Sequence, residues 1–252
     1  MSFTALAMTL IFVLIPLALS KTLKLGLEKD TLIATIRSII QLLIIGYLLQ
    51  FVFDAEHAVY MLLMILLMII AAVENVRKKG FFIEGITWKV ALTLVMIELL
   101  TQGILIGLNI TPPTPQYVIP ISGMVIGNAM VLSILFLNRF LAEVEAHEEQ
   151  SELILSLGGT PKQAIHSQLI SSIRASMIPT IESQKTMGLV QLPGMMSGQI
   201  IAGADPLQAV LFQLLVVFLL LTTAAMSSVM LGFLAYPTLF NERMQLKTIR
   251  KA

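Results

Sequence analysis

The sequence predicts an all-α, polytopic integral membrane protein that crosses the bilayer about seven times. Three observations predict it. Apolar residues make up 57% of the 252 positions and charged residues only 12%, where a soluble domain carries about 25% charge. The apolar residues gather into stretches of roughly the 20 residues that a spanning helix needs. The charges between those stretches are sorted by sign to alternate sides.

The stretches are Phe3–Leu19, Leu32–Phe53, Val59–Val73, Trp88–Ile110, Val118–Phe140, Thr186–Ala204 and Leu207–Leu234. No Lys or Arg precedes the first and no clear cleavage site follows it, so it is expected to be retained as a membrane helix. The third is short and is expected to continue through Glu74 and Asn75. The sixth is broken by Pro193 and by Gly188, Gly194, Gly198 and Gly203, which lower helix propensity. If it re-entered rather than spanned, the two ends of the chain would change sides.

Assigning the connections to alternate sides places all 16 Lys and Arg residues on one side. The other side holds only Asp54, Glu56 and Asp205. Basic residues mark the cytoplasmic side of membrane proteins. The expected topology is therefore N-terminus out and C-terminus in, with residues 1–252 forming a single transmembrane domain. Arg37, Lys89 and Lys185 stand near helix ends, where long side chains can reach the headgroups. The outer connections, Asp54–Ala58, Thr111–Tyr117 and Asp205–Pro206, are too short for an external domain.

The one long connection is the cytoplasmic region at about 141–185. Residues 142–157 read as a continuation of the fifth span out of the membrane. Gly158 and Gly159 end that helix, because Gly tolerates the left-handed conformation of a C-cap. Thr160 is a good N-cap and Pro161 suits the first position of the next helix. That helix is expected to run to about Met177 and stop before Pro179. Ala164, Ile165, Leu169 and Ile173 give it an apolar stripe. The result is an elbow of two short helices along the membrane, a docking surface for a partner.

Several chemistries are excluded or weak. With no Cys, there are no disulfides, thiolate metal sites or thiol nucleophiles. No phosphate loop is present, since GGTPK at 158–162 has the wrong spacing. No cofactor and no nucleic acid is expected on this chain, and any ATP hydrolysis belongs to another subunit. Glu98 is the one carboxylate well inside a span, with Gln102 one turn on. It reads either as a cation ligand or proton-linked group in a pathway, or as a protonated structural group. Gln191, Met195 and Gln199 recur every fourth residue and are expected to form one polar stripe beside Pro193, again as pathway or as packing. Gly194-x-x-x-Gly198, Gly103-x-x-x-Gly107 and Gly123-x-x-x-Gly127 read as close-packing motifs. Met61, Met64 and Met68 share a helix face, read as apolar filler rather than a soft-metal path. Glu143, Glu145, His147, Glu148, Glu149 and Glu152 read as a solvated acidic face. Gln41 and Asn128 are further polar candidates.

The elbow resembles the coupling loop of ABC-transporter permeases. Glu152 and Gly158 keep that loop's spacing, while Leu153-Ile154 stand where it has two small residues. The stretch 178–203, IPTIESQKTMGLVQLPGMMSGQIIAG, with LSLGGTPKQA at 155–164 and AYPTLFN at 235–241, resembles the FetB (YbbM) family of ABC permeases along the whole chain. The resemblance implies a multi-pass permease of the cytoplasmic (inner) membrane that works as a homodimer. Its partner would be a FetA-like ATPase carrying ATP and Mg, docked on Glu149, Glu152, Gly158, Gly159, Thr160 and Pro161. The family is associated with iron export and oxidative-stress resistance, and related plant proteins with aluminium tolerance and nucleotide-sugar transport. Glu98, Gln102, Gln191, Met195 and Gln199 are then the expected pathway residues, with Glu98 a metal ligand. Gly188, Pro193, Gly194 and Gly198 would serve gating or packing. An ABC permease for another metal or an organic solute, and an ATPase-independent channel or proton-coupled carrier, are the alternatives.

Overall fold

Backbone N–H and C=O groups in a bilayer must be satisfied within the protein, which leaves an apolar chain like this one to form helices. The computed structural model describes residues 8–55, 57–81 and 83–247. Phe3–Ala7, Glu56, Arg250 and Lys251 lie outside the described residues. These residues contain helices and no β-strand, only two isolated bridges, Met187 with Gln191 and Phe240 with Leu246. The chain divides into two compact units, Met1–His57 and Ala58–Ala252.

The first unit is an αα-hairpin of α1 (Ile11–Thr22) and α2 (Glu28–Ala55). Its turn is built on Ser20, which accepts from Leu27 N through its hydroxyl and from Leu25 N through its carbonyl. Among the described residues of this unit only Ser20 and Val52 are buried.

The second unit is a bundle. Its long helices are α3 (Ala58–Arg77), α4 (Ile86–Gly107), α5 (Pro115–Ala146) and α10 (Pro206–Ala235). With α2, these make five helices long and apolar enough to cross a membrane. Val90, Leu94, Ile97, Val125, Phe136, Phe140 and Leu231 are core residues at or below 1% exposure. Phe136 and Phe140 stack at 5.4 Å. Met64 is buried, and Met68 lies 3.9 Å from where a Cβ on Gly123 would sit. That part of the methionine face therefore fills the seam between α3 and α5. At Gly103, Gly107, Gly127, Gly194 and Gly198 an added Cβ would have no neighbour within 4 Å. Close packing at these glycines is not made by the described residues of this unit.

α5 runs past the apolar stretch to Ala146, as its sequence implies, and then breaks at His147. Next come α6 (Glu148–Ser156) and α7 (Pro161–Ala164). Gly158 takes a positive φ of 86°. Thr160 and Gln163 form a reciprocal capping box with Pro161 at the first position. The elbow thus forms where the sequence places it.

The helix that follows does not stop before Pro179. α8 spans His166–Thr186 with Pro179 inside it. A proline in a helix interior removes one N–H and costs about 3 kcal/mol. Contacts on both sides hold the helix through it: Ser176 and Ser228 hydroxyls meet at 2.8 Å, and Gln184 Nε2 donates to the Val217 carbonyl at 3.0 Å. Towards the elbow, Leu169 presses on Gly232. As residue numbers rise along α8 from 169 to 184, its partners on α10 fall from 232 to 217. The two helices are antiparallel. Fifteen residues of α10 correspond to about 22 Å, so α8 runs through much of the depth that α10 spans. The expected apolar stripe, Ala164, Ile165 and Leu169, is buried, with Ile173 packed against the core.

The sixth apolar stretch is therefore not one spanning helix. Thr186–Pro193 is a turn, closed by Gly188 N donating to the Gln191 carbonyl at 2.9 Å. Gly188 permits it with φ 84°. α9 covers only the eight residues Gly194–Ile201, about 12 Å. It packs on α10 and leads to Asp205, whose carboxylate caps α10 by accepting from Leu207 N and Gln208 N. The chain travels from the elbow end of α10 to its other end as α8, a turn and α9.

A valine at Gly232 would drive its side chain into Leu169 and Phe136, which approach an added Cβ to 2.8 and 3.1 Å. Gly232→Val is expected to cost about 1–3 kcal/mol by overpacking. Gly127→Ala, in open space, is expected to gain up to about 1 kcal/mol in helix propensity. Thermal unfolding of the detergent-solubilised variants checks both signs.

Candidate translocation and coupling sites

Two groups of candidate side chains are assembled by these helices. The first lies between α4 and α5. Glu98 and Gln102 sit one turn apart on α4, so they face the same neighbour. That neighbour is Ser122 of α5. Ser122 Oγ donates to Glu98 Oε1 and accepts from Gln102 Nε2 at 2.9 Å. Glu98 is only 5% exposed. Glu98 Oε2 and Gln102 Oε1 are buried and have no hydrogen-bond partner among the described residues. Buried polar oxygens ordinarily have a hydrogen-bond partner, so these two mark the site as polar and unsatisfied. Ser122 was not a candidate from sequence. A hydroxyl in an apolar span has many possible roles, and only the packing of α4 on α5 shows which acid it meets.

The glutamine stripe is not one surface. Gln191 is exposed in the turn before α9, while Met195 and Gln199 lie on α9 and are half-buried. Pro193 starts α9 from an extended conformation. Asn128 Nδ2 donates to the Leu220 carbonyl at 3.3 Å, near the middle of α10. Gln41 is exposed within its own unit. In the acidic run, Glu143 is drawn in by Arg139 at 2.6 Å, whereas Glu145, Glu149 and Glu152 are exposed. Among the described residues no three His, Asp or Glu side chains converge as a metal site.

The second group is the elbow and what it rests on. Ser151 of α6 donates to the Ala164 carbonyl at 3.2 Å and accepts from Gln168 Nε2 at 3.4 Å, fixing α6 to α7 and α8. The two elbow glycines are needed for different reasons. Gly158 supplies the positive φ. At Gly159 a Cβ would lie 2.7 Å from the Ile154 carbonyl oxygen. Leu153 and Leu157 project outward, 59% and 80% exposed. The 3₁₀ turn Tyr236–Leu239 that follows α10 packs on α7, with Lys162 Nζ 5.7 Å from the Phe233 ring. A cleft of about 400 Å³ between Thr160, Pro161, Lys162, Asn241 and Met244 separates the elbow from the C-terminal hairpin.

That hairpin is tied to α4. Lys89 does not reach towards headgroups: it is 2% exposed and turned inward. Its Nζ donates to the Glu84 carbonyl at 2.6 Å and to Thr238 Oγ1 at 3.1 Å. Lys247 Nζ bonds Glu84 Oε1 at 2.9 Å. That ion pair holds the Glu84 carboxyl below the usual carboxylate range. The elbow, the end of α10 and the start of α4 therefore form one connected end of the bundle. Glu98 lies nine residues along α4 from Lys89.

Five crossing-length helices among the described residues, with a buried carboxylate between two of them, define a multi-pass α-helical membrane protein. The chain belongs to the uncharacterised protein family UPF0014, whose model matches residues 3–240. It is 58% identical to the UPF0014 membrane protein YjkA of Bacillus subtilis, over 98% of this chain and 99% of the relative. It is 41% identical to the probable iron export permease protein FetB of Escherichia coli, over 96% and 93%. It is 33% identical to the protein ALUMINUM SENSITIVE 3 of Arabidopsis thaliana, over 96% and 89%. No solved structure matches.

Ser122→Ala leaves Gln102 Nε2 and Glu98 Oε1 without their shared partner. Stranding buried polar groups costs about 1–3 kcal/mol. The variant is expected to unfold at lower temperature than Ser122→Thr, which keeps the hydroxyl, as read by thermal unfolding in detergent.

Proposed function

We propose that this chain is the membrane subunit of an ATP-driven exporter, working as a homodimer with two FetA-type ATPase subunits, and that its cargo is iron. The observation that carries this reading is the 41% identity, along nearly the whole chain, to a probable iron export permease. The elbow supports it, since a channel or carrier working alone has no use for an organised docking end. ATP and Mg sit on the ATPase, and this chain binds neither. The elbow and C-terminus face the cytoplasm of the inner membrane, on the side where Lys78, Lys79, Lys162, Arg243 and Lys247 gather. The N-terminus faces outward.

In this mechanism the ATPase grips Glu149, Glu152 and the Gly158–Pro161 corner. Its nucleotide-driven closure moves α6 and α7. The Lys89–Thr238 bond and the seams of α8 with α5 and α10 pass that movement into the bundle. The turn at Gly188–Pro193, with Gly194 and Gly198 in α9, absorbs the change in shape. Glu98, with Gln102 and Ser122, supplies oxygen ligands suited to a hard or borderline cation. Gln191, Met195 and Gln199 line the path beyond. Iron homeostasis and protection from oxidative stress follow from exporting a redox-active metal. One observation favours a second cargo: no convergent metal-ligand group exists among the described residues, which suits an organic solute or a chelated metal.

Iron flux in vesicles tests the reading, with this chain reconstituted with and without its ATPase and with ATP on the elbow side. ATP-dependent movement of iron away from that side is expected. ATP hydrolysis without iron movement would keep the coupling and discard iron, and flux by this chain alone would overturn the ATPase reading. Glu98→Gln is expected to abolish export while the complex still assembles. Unchanged export by a well-expressed variant would remove Glu98 from the mechanism.

A further inference from the structure

α8 packs alongside the middle of α10, a helix long and apolar enough to cross a membrane, yet one face of α8 is charged. The contacts of Leu169, Ser176 and Gln184 with Gly232, Ser228 and Val217 set its level against α10. By that register Glu182 stands near Leu220, the middle of a helix about 45 Å long. The buried face of α8 is accounted for. Gln168, Ser172 and Ser176 turn inward, and each has a hydrogen-bond partner. The opposite face is exposed in this chain. Arg174, Ile178 and Glu182 follow one another at intervals of four on it. The Glu182 and Lys185 side chains are 59% and 63% exposed and pair at 2.7 Å.

Charged side chains at this depth do not face hydrocarbon; they face water or protein. No other helix of the described unit covers them. By contrast, the exposed residues of α10 and α4 at comparable depth carry no charge, among them Phe218, Thr222 and Leu99. The unit therefore has two kinds of exposed wall, one suited to lipid and one not.

We propose that the Arg174–Ile178–Glu182–Lys185 face of α8 lines a water-filled passage for a charged, hydrated cargo, closed on its far side by a second copy of this chain. The clause about the second copy rests on the dimeric transporter reading above. Glu182 and Lys185 are the pair a cargo ion meets at mid-depth. The Thr186–Pro193 turn ends the charged stretch of α8. Beyond it α9 continues the same crossing with Gln199 as its polar group.

The absence of Cys from the chain makes the test direct. Single variants Ile178→Cys, Glu182→Cys, Phe218→Cys and Leu99→Cys are made in the full chain and placed in lipid nanodiscs, where both faces meet the reagent. Each is treated with a cationic, membrane-impermeant methanethiosulfonate. The thiolate is the reacting species and forms only where water reaches, so positions 178 and 182 are expected to react at least about tenfold faster than 218 and 99. Rates at 178 and 182 no faster than at 218 and 99 overturn the proposal. Because labelling needs neither ATPase nor iron, failure of the exporter reading would appear separately, as absent ATP-dependent flux with the labelling contrast intact.

Discussion

The antiparallel seam between α8 and α10 is the contact on which the second unit's architecture turns. A segment holding Arg174, Glu182 and Lys185 does not enter a bilayer alone: each such charge at the centre of a helix costs about 2.5–3.5 kcal/mol on insertion scales. α8 is held there by its other face. Ser176 meets Ser228, Gln184 reaches the Val217 carbonyl, and Leu169 fills the space left by Gly232. The missing side chain at 232 is what lets the two backbones approach. Phe136 and Phe140 of α5 complete the packing at the elbow end of the bundle. Once α8 is fixed, the elbow before it and the turn after it are fixed too.

The elbow gains its rigidity from ordinary local chemistry. A capping box at Thr160 and Gln163 starts α7, and a positive φ at Gly158 ends the turn after α6. Its coupling to the bundle is less ordinary. Lys89, buried at the start of α4, holds Thr238 beyond the end of α10, so two helices far apart in sequence share one anchor. Force applied at the elbow meets a connected end rather than a loose loop, and α4 carries Glu98.

Much of this was legible in the sequence. Apolar stretches gave four of the bundle's long helices, because length and hydropathy report directly on burial in lipid. The Gly-Gly-Thr-Pro corner was legible because its capping rules are local. The extent of α8 was not. Its composition is that of a surface helix, and Pro179 is a stop signal that only tertiary contacts override. Lys89 differs from its expected place for a related reason: position near a helix end suggests an exposed amine, but the partners that draw it inward are Glu84 and Thr238, the latter far along the chain. Glu98 and Gln102 were recognisable as a pair from spacing alone, while Ser122 became visible only through the packing of α5 on α4.

The amphipathic character of α8 bears on how the chain is made. Synthesis proceeds from the N-terminus, so α8 leaves the ribosome before the helix that shelters its serines exists. Its own hydrophobicity does not commit it to the bilayer. α10, which carries no charged side chain and is long and apolar enough to cross by itself, offers the groove at Gly232 and Val217. This part of the bundle is thus assembled backwards, the place of α8 decided by a segment translated after it.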